Sequence, residues 1–468
     1  MAKSIVFSKY SHVFRNPDGI SAYYNSLRIK PVYVSQDTAE YIDRVRHGES
    51  LQEVLFSIPS EVIKNNVQNT FEILYKNKVF IDSNEDENII NKFRSFTGKP
   101  AVKIAYFILT DNCNFNCSYC FVKKGMSEEY KCSNMTIETA IKALDLYCKL
   151  IGSDFDDNKD EKSIILYGGE PLLNFDLLKL YLPKIEEYKI RGKLPKNIQI
   201  NIVTNGSLLD SEKVRLLEKY NVGIGISIDG DELATNSCRK YNDGNPTYLD
   251  IKRGIDCCKK EKADFTLSTT LTLKSIKNFE STIDVIINQI GAKSLGFNIL
   301  MAKNDSEQEN YAQMASEFII NAFKIFREKG IFEDRIMRKV EAFVESRVHM
   351  FDCAAAGGNQ IVFAPNGDIG ICHGFIGNRN YFVSNVYDDS DFSPLRSNEY
   401  REWSKRTPIN MEKCQDCYAL GICGGGCPLN AYQTHGSIWE LDDRFCVHSK
   451  MTLEWLIWDL YDKLPNKL

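Results

Sequence analysis

The sequence predicts an α/β fold whose centre is a partial barrel of six β/α units, (β/α)6. Six short apolar runs between residues 101 and 306 alternate with amphipathic helical patterns, as parallel strands joined by right-handed crossovers do. A complete barrel of this type has eight strands, so six strands predict a partial one. The flanking regions differ in composition, because residues 1–90 contain no paired cysteines whereas residues 353–446 are rich in glycine and cysteine.

Length and charge narrow the class of protein. The 468 residues exceed one ordinary core and predict two to four domains. A net charge of −5, with no apolar run long enough to span a bilayer, predicts neither nucleic acid nor a membrane as a partner. The first residues lack the pattern of a secretory signal, so we expect a cytoplasmic protein. In that reducing compartment, 15 cysteines favour metal binding or catalysis over disulfides.

Residues 1–90 are predicted to form a small winged-helix-like domain. The strand-like runs SIVFS and PVYVS are followed by three helical patterns and a short apolar strand, VFI. The helical patterns cover residues 36–47, 50–57 and 60–77. A charged stretch over residues 82–100 then predicts a linker that ends at Gly98 and Pro100.

Residues 101–306 supply the elements of the partial barrel. The predicted strands are 103–109, 163–167, 198–204, 222–228, 265–273 and 294–300, and the helical patterns lie near 136–150, 173–188, 208–219, 248–260 and 277–290. Residues 307–352 predict two bridging helices, and residues 353–468 predict a cysteine-rich domain that ends in an amphipathic helix. In sheets of this kind the active site lies at the carboxyl ends of the strands.

Three cysteines follow the first barrel strand on one loop, at Cys113, Cys117 and Cys120. Three thiolates can ligate three irons of a [4Fe–4S] cubane and leave the fourth iron open to bind a small molecule and deliver an electron to it. The uneven spacing differs from the paired CxxC knuckles of zinc sites. Cys132 could supply a fourth ligand, so a structural zinc loop stays open as the alternative.

This CxxxCxxC loop, with the aromatic Tyr119 before its last cysteine, resembles the radical S-adenosylmethionine (SAM) superfamily. Further motifs match that family in order and spacing at the ends of successive strands. They are Gly168-Gly169-Glu170-Pro171, Thr204-Asn205-Gly206, Ser227-Ile228-Asp229-Gly230 and Arg239. By this resemblance, the cluster on Cys113, Cys117 and Cys120 cleaves SAM reductively. The resemblance also implies cofactor-binding roles for Tyr119, Gly168, Gly169, Glu170, Pro171, Thr204, Asn205, Ser227, Asp229 and Arg239.

Some of these motif residues also have a physical account of their own. Glycine at positions 168 and 169 lets a backbone approach a ligand closely. Glu170 can accept a charge-assisted hydrogen bond from an ammonium group, which is the role that the family gives to this element. Relatives often carry a His-Asp pair shortly before the arginine, where this chain has Thr235-Asn236, so that contact is not expected here.

A second set of seven cysteines resembles the SPASM extension of radical SAM enzymes. That extension carries two auxiliary [4Fe–4S] clusters, so the resemblance implies three clusters in all. By resemblance, the outer auxiliary cluster is held by Cys414, Cys417, Cys423 and Cys446, and the inner one by Cys353, Cys372 and Cys427. The inner set has three cysteines, so either its fourth iron is open to a substrate thiolate or another side chain, such as His373, fills the position. A structural zinc site takes four ligands, so seven cysteines are more than one zinc site needs and one fewer than two sites need.

The pattern of residues 1–90 resembles the peptide-recognition domain of ribosomal peptide maturation systems. Such domains bind a leader peptide as an added strand at a sheet edge, where backbone hydrogen bonds give affinity. The resemblance therefore implies a precursor peptide as partner, and an electron donor such as flavodoxin or ferredoxin for the clusters. The alternative is an extension that only packs against the barrel.

Three functional hypotheses follow. The first is a radical SAM enzyme that modifies a ribosomally made peptide: a 5′-deoxyadenosyl radical abstracts a hydrogen, and a thioether or carbon–carbon crosslink forms. The second is an anaerobic sulfatase-maturating enzyme that makes formylglycine. Such enzymes usually begin near the radical domain and carry an Asp directly after the second SPASM cysteine, where this chain has His373. The third is a non-catalytic iron–sulfur electron carrier, which would not need the cofactor motifs at the strand ends.

Overall fold

A computed structural model describes residues 5–152, 162–301 and 310–465. Residues 302–306 of the predicted barrel and 307–309 of the predicted connector lie outside the described residues, as do both chain ends. Within the described part the strands form three sheets, the largest of which has ten strands. Of the helices described, none combines the length and the apolar composition that crossing a lipid bilayer would require.

The N-terminal part contains five strands and four helices. The strands are β1 (Ile5–Phe7), β2 (Ser11–Arg15), β3 (Ser21–Asn25), β4 (Lys30–Val34) and β5 (Phe80–Asp82), and the helices are α1 (Gln36–Arg46), α2 (Leu51–Ser57), α3 (Glu61–Lys76) and α4 (Glu85–Arg94). Strands β2, β3 and β4 form an antiparallel sheet, and β1 pairs with β5. The first three helices agree with the predicted bounds to within one residue. The predicted linker is wrong, because it contains α4, whose Ile90 is buried.

Polar side chains at the helix starts explain why several helices begin where they do. Ser50 precedes α2, where its hydroxyl accepts from the Glu53 N–H while the Glu53 carboxylate accepts from the Ser50 N–H. Thr136 likewise accepts from the Thr139 N–H at the start of a barrel helix. These side chains satisfy N–H groups that the helix itself leaves without acceptors.

The barrel region contains strands and helices in alternation. The strands are β6 (Ile104–Thr110), β7 (Ser163–Gly168), β8 (Gln199–Thr204), β9 (Val222–Ser227), β10 (Phe265–Leu271) and β11 (Ser294–Ile299), and the helices are α5 (Phe121–Gly125), α6 (Ile137–Ile151), α7 (Phe175–Ile190), α8 (Ser211–Lys219), α9 (Glu232–Cys238), α10 (Tyr248–Glu261), α11 (Leu273–Lys277) and α12 (Phe279–Asp284). All six predicted strands are present. The single helix predicted over 277–290 is instead broken at Asn278 and ends in a π-helical turn over Val285–Ile290.

The C-terminal part begins with the two predicted bridging helices and ends with the predicted long helix. Its elements are α13 (Tyr311–Lys329), β12 (Phe332–Glu333), α14 (Asp334–Val344), β13 (Gln360–Phe363), β14 (Asp368–Gly370), β15 (Phe382–Asn385), α15 (Asn398–Trp403), α16 (Leu420–Cys423), α17 (Pro428–His435) and α18 (Asp443–Asp462). The strands β12 to β15 were not predicted from the sequence.

The six predicted strands lie side by side in chain order and are parallel, as the βαβ pattern requires. The sheet continues past both ends of this set. Short β12 adds beside β11, and β13 pairs in parallel with β6 before β14 and β15 extend that edge antiparallel. The cysteine-rich region therefore shares the barrel sheet and is not a separate unit beside it.

The two faces of the parallel strands differ in composition. On one face the side chains are buried against the helices; they include Ala105, Phe107, Ile164, Leu166, Ile200, Ile202, Ile224, Ile226, Leu267, Leu295 and Phe297. On the other face the alternate residues of β8 to β11 are partly exposed and small or polar; they include Asn201, Gly223, Gly225, Ser227, Ser268, Thr270, Gly296 and Asn298. Parallel strands covered on both faces are apolar throughout, so this alternation indicates a face kept open beside the strand ends.

Candidate active site and auxiliary cysteine groups

The loop that carries the first three cysteines is held by backbone pairing to a segment far along the chain. The N–H of Asn116 donates to the Lys240 carbonyl at 2.7 Å, and that of Ser118 donates to the Cys238 carbonyl at 2.9 Å. The amide of Asn242 also donates to the Cys113 carbonyl at 3.0 Å. The segment after α9 therefore fixes the loop against the end of the sheet.

The thiols of Cys113, Cys117 and Cys120 are partly buried and lie within one another's electrostatic influence. The pKa of Cys113 is raised to about 12, first by burial and then by nearby charges that include Cys117 and Cys120. Burial likewise raises the pKa of Cys117 to about 11. Three neighbouring thiols on one loop form a donor set that suits an iron–sulfur cluster.

The zinc alternative required Cys132 beside these three cysteines. Cys132 is exposed, and its thiol instead donates to the Asp111 carbonyl at 3.7 Å. Over residues 5–152, 162–301 and 310–465, no three His, Cys, Asp or Glu side chains are arranged to hold a single metal ion. A cubane can be held by three thiolates from the chain, whereas a zinc site needs a fourth ligand, so the engagement of Cys132 with Asp111 favours a cluster over one zinc ion.

The two glycines of the Gly168-Gly169 pair are required by the cysteine loop itself. A Cβ at Gly168 would lie 2.1 Å from the Thr110 carbonyl oxygen, and one at Gly169 would lie 2.2 Å from the Asn112 carbonyl oxygen. The Gly169 N–H also donates to Thr110 at 2.9 Å. These glycines therefore let β7 end against the start of the cysteine loop, a physical reason different from close approach to a ligand.

Glu170 is fully buried and is the centre of a polar cluster at the ends of β7 and β8. Its carboxylate accepts from the Thr204 hydroxyl at 2.7 Å and from the Asn205 and Leu172 N–H groups at 2.7 and 3.0 Å. Burial raises the Glu170 pKa to about 7 despite these three donors. Pro171 begins the short 3-10 turn that follows, and it is buried. A carboxylate so destabilised by burial is suited to a cationic partner.

A second network ties the cysteine loop to the end of β8. The Asn205 amide donates to the Asn114 side-chain oxygen at 2.8 Å, and the Asn114 amide donates to Ser207 at 3.0 Å. The Ser207 hydroxyl returns a bond to Asn205 at 2.8 Å. Asn205, predicted as a cofactor residue, therefore also orients the loop between the first two cysteines.

Tyr119, Asp229 and Arg239 form one buried cluster behind the cysteines. Arg239 makes a two-point ion pair with Asp229, at 3.0 Å from Nε and 2.9 Å from Nη2, and its guanidinium lies 5.5 Å from the centre of the Tyr119 ring. The Tyr119 hydroxyl donates to Asp229 at 2.5 Å. Both oxygens of the Asp229 carboxylate therefore accept hydrogen bonds from protein groups. Asp229 would influence a bound cofactor by positioning Tyr119 and Arg239.

The residues that replace the family's His-Asp pair have partners in the scaffold. The Thr235 hydroxyl accepts from the Asp229 N–H at 3.3 Å. The Asn236 side-chain oxygen accepts from the Thr247 and Tyr248 N–H groups, both at 2.9 Å, at the start of α10. Ser227 lies at the end of β9, opposite Ser268 of β10. The structure thus brings every predicted cofactor residue to one edge of the sheet.

The outer set of C-terminal cysteines converges although its members are up to 32 residues apart in sequence, at 414 and 446. Burial raises the pKa of Cys446, and the charges of Cys423, Cys414 and Cys417 raise it further. Burial raises the pKa of Cys414 to about 12, with contributions from Cys423 and Cys417. Four mutually close thiols match the ligand set of a cubane.

The inner set also converges. Burial raises the pKa of Cys372, with further contributions from Cys427 and Cys353. The neighbouring His373 ring is stacked on Tyr106 at 4.4 Å and lies edge-on to Tyr167 at 4.9 Å. Burial lowers the pKa of His373 to about 4, so the ring is neutral near pH 7. His373 therefore belongs to an aromatic group on the inner face of β6 and β7.

Two fully buried cations accompany the auxiliary cysteines and were not predicted. Arg406 donates to the backbone carbonyls of Gly425 at 2.8 Å and Glu440 at 3.1 Å, and Lys339 donates to the carbonyl of Ile422 at 3.3 Å. Neither forms an ion pair among the described residues, although the carboxylates of Asp442 and Asp352 act on Arg406 and Lys339 respectively and the charge of Cys423 acts on both. A buried cation without a directly paired counter-charge is costly, and anionic clusters on these cysteines would supply further negative charge.

Several residues that build the site carry no sequence motif. They are Asn114, Ser207, Asn242, Arg406 and Lys339. Asn114, inside the cysteine loop, and Ser207, directly after Thr204-Asn205-Gly206, could have drawn attention from their positions in the sequence. Asn242 lies far along the chain from Cys113, whose carbonyl it contacts, so only the fold joins them.

The fold and the site together define an iron–sulfur enzyme on a parallel β/α sheet. Residues 107–286 match the sequence profile of the Radical SAM superfamily. These residues form a radical SAM domain, so the chain is an enzyme that carries a radical SAM domain.

Similar proteins match the chain beyond residues 107–286. The radical SAM cyclopropyl synthase TigE of Paramaledivibacter caminithermalis is 24% identical over 97% of this chain and 96% of its own length. A serine-type anaerobic sulfatase-maturating enzyme of Klebsiella aerogenes is 24% identical over 68% of this chain and 78% of its own length. The structure of native anSMEcpe with bound AdoMet superposes with a TM-score of 0.63 at 20% identity, covering 77% of this chain and 98% of that one.

Proposed function

We propose that this radical SAM enzyme modifies a ribosomally made peptide by forming a carbon–carbon or thioether crosslink. The observation that carries the proposal is the open, polar face of β8 to β11. A Cβ at Gly225 or Gly296 would meet no atom closer than 3.4 Å and 3.8 Å respectively, so there is room above these strands. Asn201, Ser268 and Asn298 make this face polar, although the Asn298 amide donates to the Ser268 hydroxyl at 3.0 Å. A polar face suits the amide backbone of a peptide.

The residues at the strand ends support binding of SAM. The Glu170 carboxylate can accept from the ammonium group of the cofactor, because its burial leaves it short of a cationic partner. Arg239, held near the Tyr119 ring by its ion pair with Asp229, offers a fixed positive charge beside Cys117. Cys113, Cys117 and Cys120 would hold a cluster whose chemistry is the transfer of one electron to SAM, which would generate a 5′-deoxyadenosyl radical able to take a hydrogen atom from the substrate.

We propose three [4Fe–4S] clusters, the second on Cys353, Cys372 and Cys427 and the third on Cys414, Cys417, Cys423 and Cys446. Joining a carbon radical to a thiolate sulfur forms one bond and releases one electron, which an auxiliary cluster can accept. Each electron released to an auxiliary cluster would be matched by one electron that the first cluster receives. A reducing protein such as flavodoxin or ferredoxin would supply the first electron of the cycle. The Arg406 and Lys339 cations favour the acceptance of an electron nearby.

The N-terminal domain is proposed to bind the precursor peptide. Its three-stranded sheet has outer edges at β2 and β4 within the described residues. Pro31 lies in β4, a position typical of an edge strand. An extended peptide can add to such an edge through backbone hydrogen bonds, leaving pockets for alternate side chains to select it.

One relative favours the carbon–carbon product. The relative that covers 97% of this chain is named a cyclopropyl synthase, and a cyclopropyl group is a ring of carbon–carbon bonds. Sulfatase maturation is the second candidate, because the sulfatase-maturating relative aligns with two thirds of the chain. His373 argues against it, since a neutral ring stacked in the aromatic group replaces the carboxylate expected of those enzymes.

The experiment is anaerobic turnover of the reconstituted chain with dithionite, SAM and each short peptide encoded beside the gene. We expect 5′-deoxyadenosine and a peptide that has lost two hydrogen atoms. Cys113→Ala should abolish both products, whereas Cys132→Ala, a matched change on a nearby thiol, should leave them. If Cys132→Ala lost both products as Cys113→Ala does, the zinc alternative would be supported. If the wild type made no more 5′-deoxyadenosine than Cys113→Ala, both enzyme hypotheses would be wrong and the electron-carrier hypothesis would be supported.

A further inference from the structure

Tyr24 is a fully buried tyrosine whose hydroxyl has no hydrogen-bond partner among the described residues. It lies on β3, the central strand of the N-terminal sheet. Burial raises its pKa, and the only charge that raises it further is that of Cys417. A buried hydroxyl without a partner costs about 1–3 kcal/mol, so a native structure that keeps one usually has a partner that the protein chain alone does not supply.

The surroundings of Tyr24 identify where such a partner would lie. Ala22, Tyr24 and Ile29 pack in one apolar cluster with Ala419 and Ile422 of the outer cysteine region, and Cys417 borders that cluster. The contact is close, since a Cβ at Gly421 would lie 2.0 Å from the Ser26 carbonyl oxygen. The N-terminal sheet is therefore packed directly on the loop that carries Cys414, Cys417 and Cys423.

Tyr23, the preceding residue, provides an internal comparison. Successive residues of a strand point to opposite faces, and Tyr23 packs in the separate core of the N-terminal domain with Ala39, Ile42 and Phe71. It is as buried as Tyr24, but its hydroxyl donates to Asp43 at 2.9 Å. Of two adjacent buried tyrosines, the one that faces its own domain is satisfied and the one that faces the cysteines is not.

We propose that the Tyr24 hydroxyl donates a hydrogen bond to an inorganic sulfur of the outer auxiliary cluster beside Cys417, and thereby raises the reduction potential of that cluster. The inference rests on the outer-cluster assignment made under the proposed function. A hydrogen bond to a cluster sulfur withdraws negative charge from it, which stabilises the reduced state. The domain that would recognise the substrate thus contributes a side chain to the redox centre.

The test compares Tyr24→Phe with Tyr23→Phe in the full-length chain, reconstituted with iron and sulfide. Each variant loses one buried hydroxyl from the same strand. The potential of the outer cluster is followed by an EPR-monitored redox titration, in which Cys417→Ser identifies the outer-cluster signal. For Tyr24→Phe we expect the ratio of reduced to oxidised outer cluster at a fixed potential to fall about tenfold, a shift of about 59 mV for a one-electron couple.

Tyr23→Phe should leave that potential unchanged, although it removes the bond to Asp43. An equal shift in both variants would overturn the proposal, because it would show general loosening of the sheet. An unshifted Tyr24→Phe with its full iron content would also overturn it, and would leave the proposed function standing. A wild-type chain with about four irons, in place of the roughly twelve that three cubanes need, would overturn the outer cluster and the hydrogen bond together.

A second measurement needs no substitution. If the Tyr24 hydroxyl bonds to a cluster sulfur, exchange into D2O should shift an iron–sulfur stretching band of the wild type in the resonance Raman spectrum. The same band should not shift in Tyr24→Phe and should shift in Tyr23→Phe. Identical isotope responses in the wild type and Tyr24→Phe would overturn the proposal.

Discussion

The cofactor loop and the C-terminal cysteine region differ in how far the protein alone satisfies their polar groups. Around Cys113–Cys120, the buried groups Glu170, Asn205 and Asp229 each have hydrogen-bond partners within the described residues. Around the C-terminal cysteines, buried polar atoms lack partners on His349, Trp403, Thr407 and His448. The difference indicates that the first site is shaped by the chain itself, whereas the second would be completed by the clusters proposed for it.

The buried cations of the two regions differ in the same way, in whether the protein itself supplies a paired carboxylate. Arg239 near the cofactor loop has a two-point partner in Asp229. Arg406 and Lys339 near the C-terminal cysteines are equally buried and have only backbone carbonyls and one hydroxyl, that of Ser449, as acceptors. Ion pairing within the protein stabilises the first cation with or without metal, whereas the negative charge of the proposed clusters would stabilise the other two.

The largest expected effect is the response to iron removal. In the chelated protein we expect the C-terminal region, residues 349–450, to lose hydrogen-exchange protection by about 100-fold or more, because metal binding there is coupled to folding. Strands β6 to β9 should keep their protection. The measurement is hydrogen exchange read by mass spectrometry on the loaded and iron-free chains. Equal loss of protection in both regions would break the contrast.

The second effect is on cluster retention. Arg406→Met should speed loss of auxiliary iron to a chelator by about 100-fold, which corresponds to roughly 3 kcal/mol for an uncompensated buried charge. Lys405→Met is the matched control, since Lys405 is the adjacent cation but is half-exposed and paired with Glu402 at 2.7 Å. Iron loss is followed by absorbance of the chelator complex. A Lys405→Met rate as fast as that of Arg406→Met would show that burial of the charge is irrelevant.

The third effect concerns Glu170, the group of the first site that still lacks a cation. With a pKa of about 7, its ionised fraction rises about eightfold between pH 6 and pH 7.5, and SAM affinity should rise with it. The folded-state pKa lies above the unfolded value of 4.5, so its stabilising contribution to the SAM-free protein is lost as pH rises through 7. Isothermal titration and thermal melts across this range measure both trends, and Glu170→Gln should flatten them.

The smallest effect tests whether Asn236 belongs to the scaffold. Asn236→Ala should cost about 1 kcal/mol of unfolding free energy, because it removes the acceptor for two N–H groups at the start of α10. SAM affinity should not change. Denaturant unfolding and SAM titration on the same sample measure both quantities. A variant with normal stability and weakened SAM binding would place Asn236 in the cofactor site after all.

The barrel strands were predictable because they are apolar, bounded by polar turns and followed by helical patterns. Residues 163–167, for example, predict a strand that the structure gives as Ser163–Gly168. Strand β13 was not predictable, since its four residues become a strand through pairing with Ile104 and its neighbours, some 250 residues earlier. The helix α4 was hidden by its charged residues, although Ile90 and Phe93 pack against the C-terminal part.

The motif residues of the site were predictable because their spacing repeats at successive strand ends. Their partners were not, because a polar residue such as Asn242 or Arg406 gives no sign in the sequence that it will be buried. The structural reason for glycine at positions 168 and 169 was also not predictable from the sequence. The sequence indicated a ligand, and the structure adds the carbonyl groups of Thr110 and Asn112 as the reason for glycine.

Strand β3 is buried on both faces, one against its own helices and one against the loop of the outer cysteines. Protein engineers exchange recognition domains between enzymes to redirect them to new substrates. In this chain a graft cut at residue 90 would separate Tyr24 and Ser26 from Cys417 and Gly421, and leave both surfaces exposed. A working chimera would have to carry the 409–423 loop with the N-terminal domain, so the transferable unit is discontinuous in the gene.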